Sequence, residues 1–270
     1  MKRNLVVFFG GRSVEHDVSV ITAAQVIQNA DVKKYEVIPI YVSQDGSFHF
    51  VEKESDTKEF LMNIAGRKAP VQIDSVNGTI SIKKSFLSFA GSQGVIKTID
   101  IAFPAFHGTY GEDGSFQGML ELANVPYVGS GVTASAIGMN KVLFKELMSF
   151  HKVPILPWQV VSKTEIDDNF KVDLNLNYPV IVKPVNLGSS IGIKKVNNDN
   201  EMREALKIIF HLDNEAVAEP FIEDIMEVNC SILGDPKNNQ VSVCEQQEVC
   251  LHVCRRSCNY RIRLLFHKGL

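Results

Sequence analysis

Cysteine is missing from most of this chain. The five cysteines, Cys230, Cys244, Cys250, Cys254 and Cys258, all crowd toward the end of the 270 residues. A secreted disulfide framework spreads its cysteines along the sequence, so this distribution speaks against one. No apolar run approaches the roughly 18 residues of a membrane helix, and no membrane span is expected. The N-terminal run Leu5–Phe9, within MKRNLVVFFGGRS, is too short for the core of a secretory signal, which leaves a cytoplasmic location as the default. Charge of one sign is lacking as well. The 28 basic and 31 acidic residues leave a net −3, which argues for neither nucleic acid nor an anionic membrane surface as a partner. There is no Walker A pattern, internal repeat or low-complexity segment.

What remains is an ordinary globular composition, 45% hydrophobic and 22% charged, at a length that suggests roughly two domains. Leu5–Phe9 reads as a buried strand ending in a Gly-Gly turn. Apolar positions at Val18, Ile21, Ala24 and Ile27 predict a helix over about 18–28. Tyr35–Val42 alternates and predicts a strand. Residues 46–97 read as an insertion with β-hairpin character, including Thr79–Ile82. Ile99–Phe103 predicts a strand, followed by a helix near Phe116–Ala123. Repeated strand–loop–helix units imply an α/β layer with an open parallel sheet. A second region begins near residue 130, with a helix over about 133–150 and another over 201–211. Strands are expected at Val217–Glu219, Glu227–Leu233 and Val241–Glu245.

Several loops carry candidate chemistry. GSGVTA, 129–134, imitates a dinucleotide fingerprint, but the acidic residue that should close a second strand about 20 residues on falls in or just after a helix. HGTYGEDGSFQG, 107–118, places His107, Glu112 and Asp113 among glycines at a strand end, where open α/β sheets bind ligands. A solvated turn is an equal alternative. In GGRSVEHDVS, 10–19, Glu15 opens a helix. It either complements the helix terminus or holds a substrate amine beside the Gly-Gly turn. PVIVKPVNLGSSIGIKKV, 179–196, ends an apolar run on Lys183 and opens into a loop with Gly188, Ser189 and Ser190. A lysine, a glycine that permits close approach, and clustered amides and hydroxyls suit a polyphosphate. A β-hairpin with an incidental lysine is the alternative. In EPFIED, 219–224, Glu219 is placed to take an adenine amine, and Glu227 lies near enough to accept from ribose hydroxyls.

Taken together, FFGGRSVEHDVSVITA, FPAFHGTYGEDGSFQGMLELANVPYVGSGVTASAIGMNK, PVIVKPVNLGSSIGIKKV and EPFIEDIMEVNCSILG resemble the D-alanine–D-alanine ligase family of the ATP-grasp superfamily. They occur in family order over about residues 4–246. The resemblance implies an N-terminal α/β substrate domain (1–130) followed by an incomplete ATP-grasp region (131–249). It implies catalytic roles for Glu15 and Ser189. Glu15 would hold the amino group of the first D-alanine, with His107 near its carboxylate. Lys141 and Lys183 would meet ATP phosphates, Ser190 would belong to the phosphate loop, and Glu219, the Ile222 backbone and Glu227 would hold adenine and ribose. ATP and Mg²⁺, with Mn²⁺ as an alternative metal, are the implied cofactors, and D-alanine the implied substrate. A homodimer is compatible with the family. The implied function is ATP-dependent ligation of two D-alanines for peptidoglycan through an acyl phosphate.

Beyond about residue 249 the resemblance ends. The family's acidic Mg²⁺ ligands have no counterpart in CLHVCRRSCNYRIRLLFHKGL, 250–270, which holds 5 of the 28 basic residues and none of the 31 acidic ones. This break is expected of a truncated or out-of-frame ending, and with it a non-catalytic ATP-binding remnant is the rival function. Cys250, Cys254 and Cys258 recur at helical spacing, which leaves a metal site or a basic helix touching a membrane or partner as other readings of the tail. A nicotinamide dehydrogenase rests on GSGVTA alone.

Overall fold

The computed structural model describes residues 2–51, 69–74, 78–82, 95–166, 171–226, 228–234 and 237–246. Glu227 and the 250–270 tail lie outside the described residues. The chain divides into two compact units, Met1–Phe221 and Ile222–Leu270.

The first unit opens with β1 (Arg3–Gly10), α1 (His16–Asn29) and β2 (Tyr35–Val42), a parallel βαβ unit. The strands β3 (Phe48–Phe50), β4 (Ala69–Asp74), β5 (Thr79–Ile82), β6 (Val95–Thr98) and β7 (Ile101–Pro104) complete a seven-stranded sheet of order β6-β5-β4-β3-β2-β1-β7. Only β2, β1 and β7 run parallel; the inserted strands β3 to β6 extend them antiparallel. The sheet is therefore mixed, and the hairpin character expected of the insertion is present in β4 and β5. Each face of β1 has its own core. Leu5, Val7 and Phe9 pack with Val20, Ala23, Ala24 and Ile27 of α1. Val6 and Phe8 pack with Ile38, Ile40, Phe116 and Leu120, the last two from α2 (Ser115–Leu122). Burial on both faces is why Leu5–Phe9 reads as an unbroken apolar run.

The helix expected over 133–150 is two helices, α3 (Val132–Met139) and α4 (Lys141–Phe150). Asn140 interrupts them with an extended backbone, and its side chain accepts hydrogen bonds from the amides of Val142 and Leu143. Apolar periodicity runs through the junction, so only the capping chemistry of an asparagine marks it. Because α4 rather than a strand follows α3, GSGVTA opens no βαβ unit, and the dinucleotide reading fails there.

Next come β8 (Gln159–Ser162), β9 (Val180–Pro184), β10 (Lys194–Val196), α5 (Asp199–Ile209) and β11 (Glu215–Pro220). The four strands form an antiparallel sheet of order β10-β9-β11-β8. Helix α5 starts earlier than its apolar pattern predicts because Asn198 caps it, accepting from the Glu201 amide at 3.0 Å. One face of the sheet, with Val180, Val182, Ala216 and Ala218, is buried under Met202, Leu206 and Ile209 of α5. The other face carries Ile181, Lys183, Val217 and Glu219.

The second unit contains β12 (Val228–Asn229), β13 (Ile232–Gly234), β14 (Asn239–Val241) and β15 (Glu245–Gln246), paired β12 with β15 and β13 with β14. Each of the two longer strands expected here is broken. Between the two ladders Cys230 and Ser231 face three residues, Ser242 to Cys244, an unequal count that forces a bulge. Among the described residues no helix is long and apolar enough to cross a membrane.

Candidate functional site

Three loops of the first unit meet at Glu15. The first follows β1, where Gly10 and Gly11 both adopt φ near +90°. A side chain on Gly10 would run into the Val42 carbonyl and the Tyr41 ring. The turn delivers Ser13, whose Oγ accepts from the Glu15 amide at 3.0 Å, and then Glu15 itself. Glu15 stands at the start of α1, but its side chain makes no capping bond. Instead its carboxylate is buried, 4% exposed, and Oε1 accepts from the Ser189 hydroxyl. Oε2 is buried with no hydrogen-bond partner. Capping thus does not account for Glu15.

The second loop follows β7 and carries His107 and Gly108. Gly108 has φ +73°, and a Cβ there would collide with Glu15 Oε2 and Ser13 Oγ. Its amide donates to Glu112 Oε2 at 2.7 Å. His107 Nε2 lies 2.8 Å from Thr22 Oγ1 on α1, and Nδ1 lies 3.9 Å from Glu112 Oε1. His107 and Glu15 are thus on adjacent loops at the carboxyl ends of the parallel strands. Ser19 ties these ends together, accepting from the Gly10 amide and donating to the Ala105 carbonyl, both at 2.8 Å.

The third loop joins β9 to β10. These strands pair antiparallel, so the loop is the turn of a hairpin. Ser189 and Ser190 adopt φ of 47° and 58°, a left-handed conformation that side chains seldom take. A Cβ on Gly188 would come within 3.4 Å of Glu15 Oε2. Ser190 is exposed.

Lys183 leaves β9 on the face of the sheet opposite α5 and bonds Glu219 Oε2 at 2.7 Å. Glu219 Oε1 takes a second ammonium, Lys145 of α4, also at 2.7 Å. Burial works against the Glu219 carboxylate, but the bonds from Lys145 and Lys183 outweigh it and hold its pKa below the usual value. Both oxygens of Glu219 are engaged, and a carboxylate's roughly four lone-pair directions still admit an amine donor such as adenine's. Lys141, half-buried, donates to the carbonyls of Val185 and Leu187. Burial, and then repulsion from Lys183, push its pKa down. A cavity of about 580 Å³ is lined by Lys141, Leu187 and Gly188 together with Phe106, Glu112 and Gln117. Ile222 lies in the second unit with its side chain exposed.

Sequence reasoning missed Lys145. Its spacing from Lys141 puts both on one face of α4, but nothing in the sequence links it to Glu219. It also missed the chain from Asp213 through Asn186 to Asn140. Asn186 donates to Asp213 through its backbone amide at 2.7 Å, and Asn140 Nδ2 donates to Asn186 Oδ1 at 3.1 Å.

Comparison with known proteins shows the family. The family described as D-ala D-ala ligase N-terminus matches residues 4–130, and D-ala D-ala ligase C-terminus matches 147–261. The second match thus runs past residue 249, into the stretch where the resemblance was expected to end. The D-alanine–D-alanine ligase of Thermosipho melanesiensis is 39% identical over 245 residues, which cover 90% of this chain and 65% of that protein. The chain thus spans less than two thirds of the length of this curated relative. Among solved structures, the VanG D-Ala:D-Ser ligase from Enterococcus faecalis superposes with a TM-score of 0.75 at 29% identity, covering 91% of this chain and 70% of that one. The Bacillus anthracis D-alanine–D-alanine ligase complexed with ATP superposes with a TM-score of 0.56 at 27% identity, covering 84% and 62%. With the βαβ half and the lysine-bearing half each matched in chain order, this chain belongs to the D-alanine–D-alanine ligase family.

Proposed function

We propose that the chain binds D-alanine at Glu15 and the phosphates of ATP at Lys141 and Lys183, and serves the ligation of D-alanine into D-alanyl-D-alanine for peptidoglycan. The observation that carries this is Glu15 Oε2. It is an acceptor buried without a donor, a state that costs free energy until a partner arrives. The ammonium of an amino acid supplies that partner. His107, on the neighbouring loop, is the candidate partner for the same molecule's carboxylate. The relatives named above act on D-alanine, paired in one case with D-serine, so D-alanine is the first substrate in this reading. A cytoplasmic setting follows from ATP as the other substrate.

The lysine side fits a polyphosphate. Lys183 lies close enough to Lys141 to oppose its protonation, and a phosphate anion between the two removes that repulsion. When bound, ATP supplies the phosphoryl group that makes a carboxylate electrophilic enough for attack by a second amine. The chain's own residues hold and orient the reactants. Glu15 fixes the ammonium, Ser189 fixes Glu15, and the two lysines neutralise phosphate charge. Among the described residues no group of three His, Cys, Asp or Glu side chains stands together for a metal. Mg²⁺, or Mn²⁺, enters this reading with the nucleotide, and no step is assigned to it.

Calorimetric titration with D-alanine tests the proposal. Saturable binding is expected, lost in Glu15→Gln while ATP binding stays unchanged. Equal D-alanine affinity in both proteins would refute the role of Glu15. D-alanine-dependent phosphate release separates a ligase from a chain that holds ATP without turning it over.

A further inference from the structure

Helix α4 presents a problem of attachment. It carries Lys141, yet none of its side chains is buried. Leu143, Phe144, Leu147 and Phe150 are 36% exposed or more. Apolar packing is what normally fixes an amphipathic helix, and α4 has little of it. What holds it is polar. At its start Asn140 caps the first turn and reaches Asn186, which is anchored to Asp213. One turn later Lys145 crosses to Glu219 on β11. Lys141 lies between these two ties.

Glu219 itself is shared. It lies on the same face of the sheet as Lys183, two residues off the Val217–Lys183 pair, a diagonal that long side chains span. Each of its oxygens takes one ammonium at 2.7 Å, and its side chain is 6% exposed against 15% for Lys145 and 21% for Lys183. A buried carboxylate with two cationic partners needs neither of them exclusively. With one removed, the other becomes its sole counter-charge. We infer that Lys145 is a positioning residue: by taking one oxygen of Glu219 it docks α4 and leaves Lys183 able to turn part of its hydrogen-bonding capacity toward a ligand phosphate. Lys145 need not touch the ligand. Its ammonium also lies over the Trp158 ring, 5.6 Å from the ring centre, a cation–π contact that helps fix its direction.

The inference rests on the proposed ATP site, and its test is arranged to tell the two apart. ATP affinity is measured by calorimetry on the full chain for wild type, Lys145→Met, Lys183→Met and the double variant, with melting temperature as a check on folding. If Lys145 acts through Lys183, Lys145→Met weakens ATP binding about tenfold, and adding it to Lys183→Met weakens binding by no more than about twofold further, since residues that share a partner are not additive. Lys145→Arg, which keeps the bond to Glu219, restores most of the affinity. Wild-type affinity in Lys145→Met, or effects that simply multiply in the double variant, would overturn the role. If the wild-type chain binds no ATP, the proposed function falls and amide exchange in α4 decides the docking role. Faster exchange in Lys145→Met, reversed in Lys145→Arg, supports it; unchanged exchange refutes it.

Discussion

The two sheets of the first unit put their functional groups in different places. In the seven-stranded sheet both faces of β1 are covered, from Leu5 to Phe9, by separate apolar cores. No face is left for chemistry, so Glu15 and His107 sit on loops beyond the strand ends. The four-stranded sheet packs an apolar core under α5 on one side only. Its other side, with Val217 and Glu219 buried and Lys183 partly so, presents charged groups from within the strands. Loop residues are aimed by turn geometry, which is why positive-φ glycines gather around Glu15. Strand residues are aimed by the pleat, which is why Lys183 alternates with the buried Val182 and Pro184. A sheet with an apolar core on each face keeps its polar groups beyond the strand ends, and a sheet with one such core has room for them on the opposite face.

The strongest way to break this contrast is Phe8→Ala. Phe8 is fully buried and meets Phe48 and Phe116, so the loss should be about 3–5 kcal/mol of stability, read by denaturant unfolding. The same truncation logic predicts a different outcome on the face opposite α5. Lys183→Ala should lower stability less than Phe8→Ala, because Lys145 stays on Glu219, and weaken ATP binding by about 1.5–3 kcal/mol, one charge-assisted bond's worth. A large fall in stability with unaltered ATP affinity would reverse the assignment.

Glu219→Gln sharpens the comparison through pH. Replacing one carboxylate oxygen by an amide nitrogen sets a donor against a lysine donor, and should cost about 1–2 kcal/mol near neutral pH. The folded pKa of Glu219 lies below its ordinary value of 4.5. The carboxylate's contribution is therefore present above pH 4.5 and is lost as pH falls through the lower folded value. Wild type and variant should converge in stability under acid conditions. A gap that persists there would show that the pair is not electrostatic in origin. The smallest effect is expected from Asn140→Ala, about 0.5–2 kcal/mol from a lost cap, appearing first as faster amide exchange at the start of α4.

How much of this was legible in the residues depends on how local the cause is. Strand β2 was expected at its observed bounds, and the Gly-Gly turn, Glu15 and Lys183 all stood out because short-range patterns determine them. The break at Asn140 was missed because the apolar period continues through it and a single capping side chain decides. The insertion's antiparallel pairing turned an expected parallel sheet into a mixed one, since strand direction depends on connections rather than composition. Lys145 carries no signal of its own. Its partner Glu219 lies on a different strand, and only the folded chain puts them within reach of each other. The expected role of Ser189 came from family resemblance, and the fold places its hydroxyl against Glu15, which no spacing in the sequence would indicate.

Gly108 has a consequence for how this protein can vary. Its φ of +73° and the collision of any Cβ with Glu15 Oε2 act on the same position, one through the backbone and one through space. A residue that relieves the first problem, such as asparagine, still meets the second. Saturation mutagenesis at 108 should therefore yield an empty row, with even alanine rejected, whereas Gly118, which has open space around it, should accept small side chains. The loop that presents His107 can drift at its exposed positions, but it must do so around one fixed glycine, and exploration of new first substrates has to start from residues other than this one.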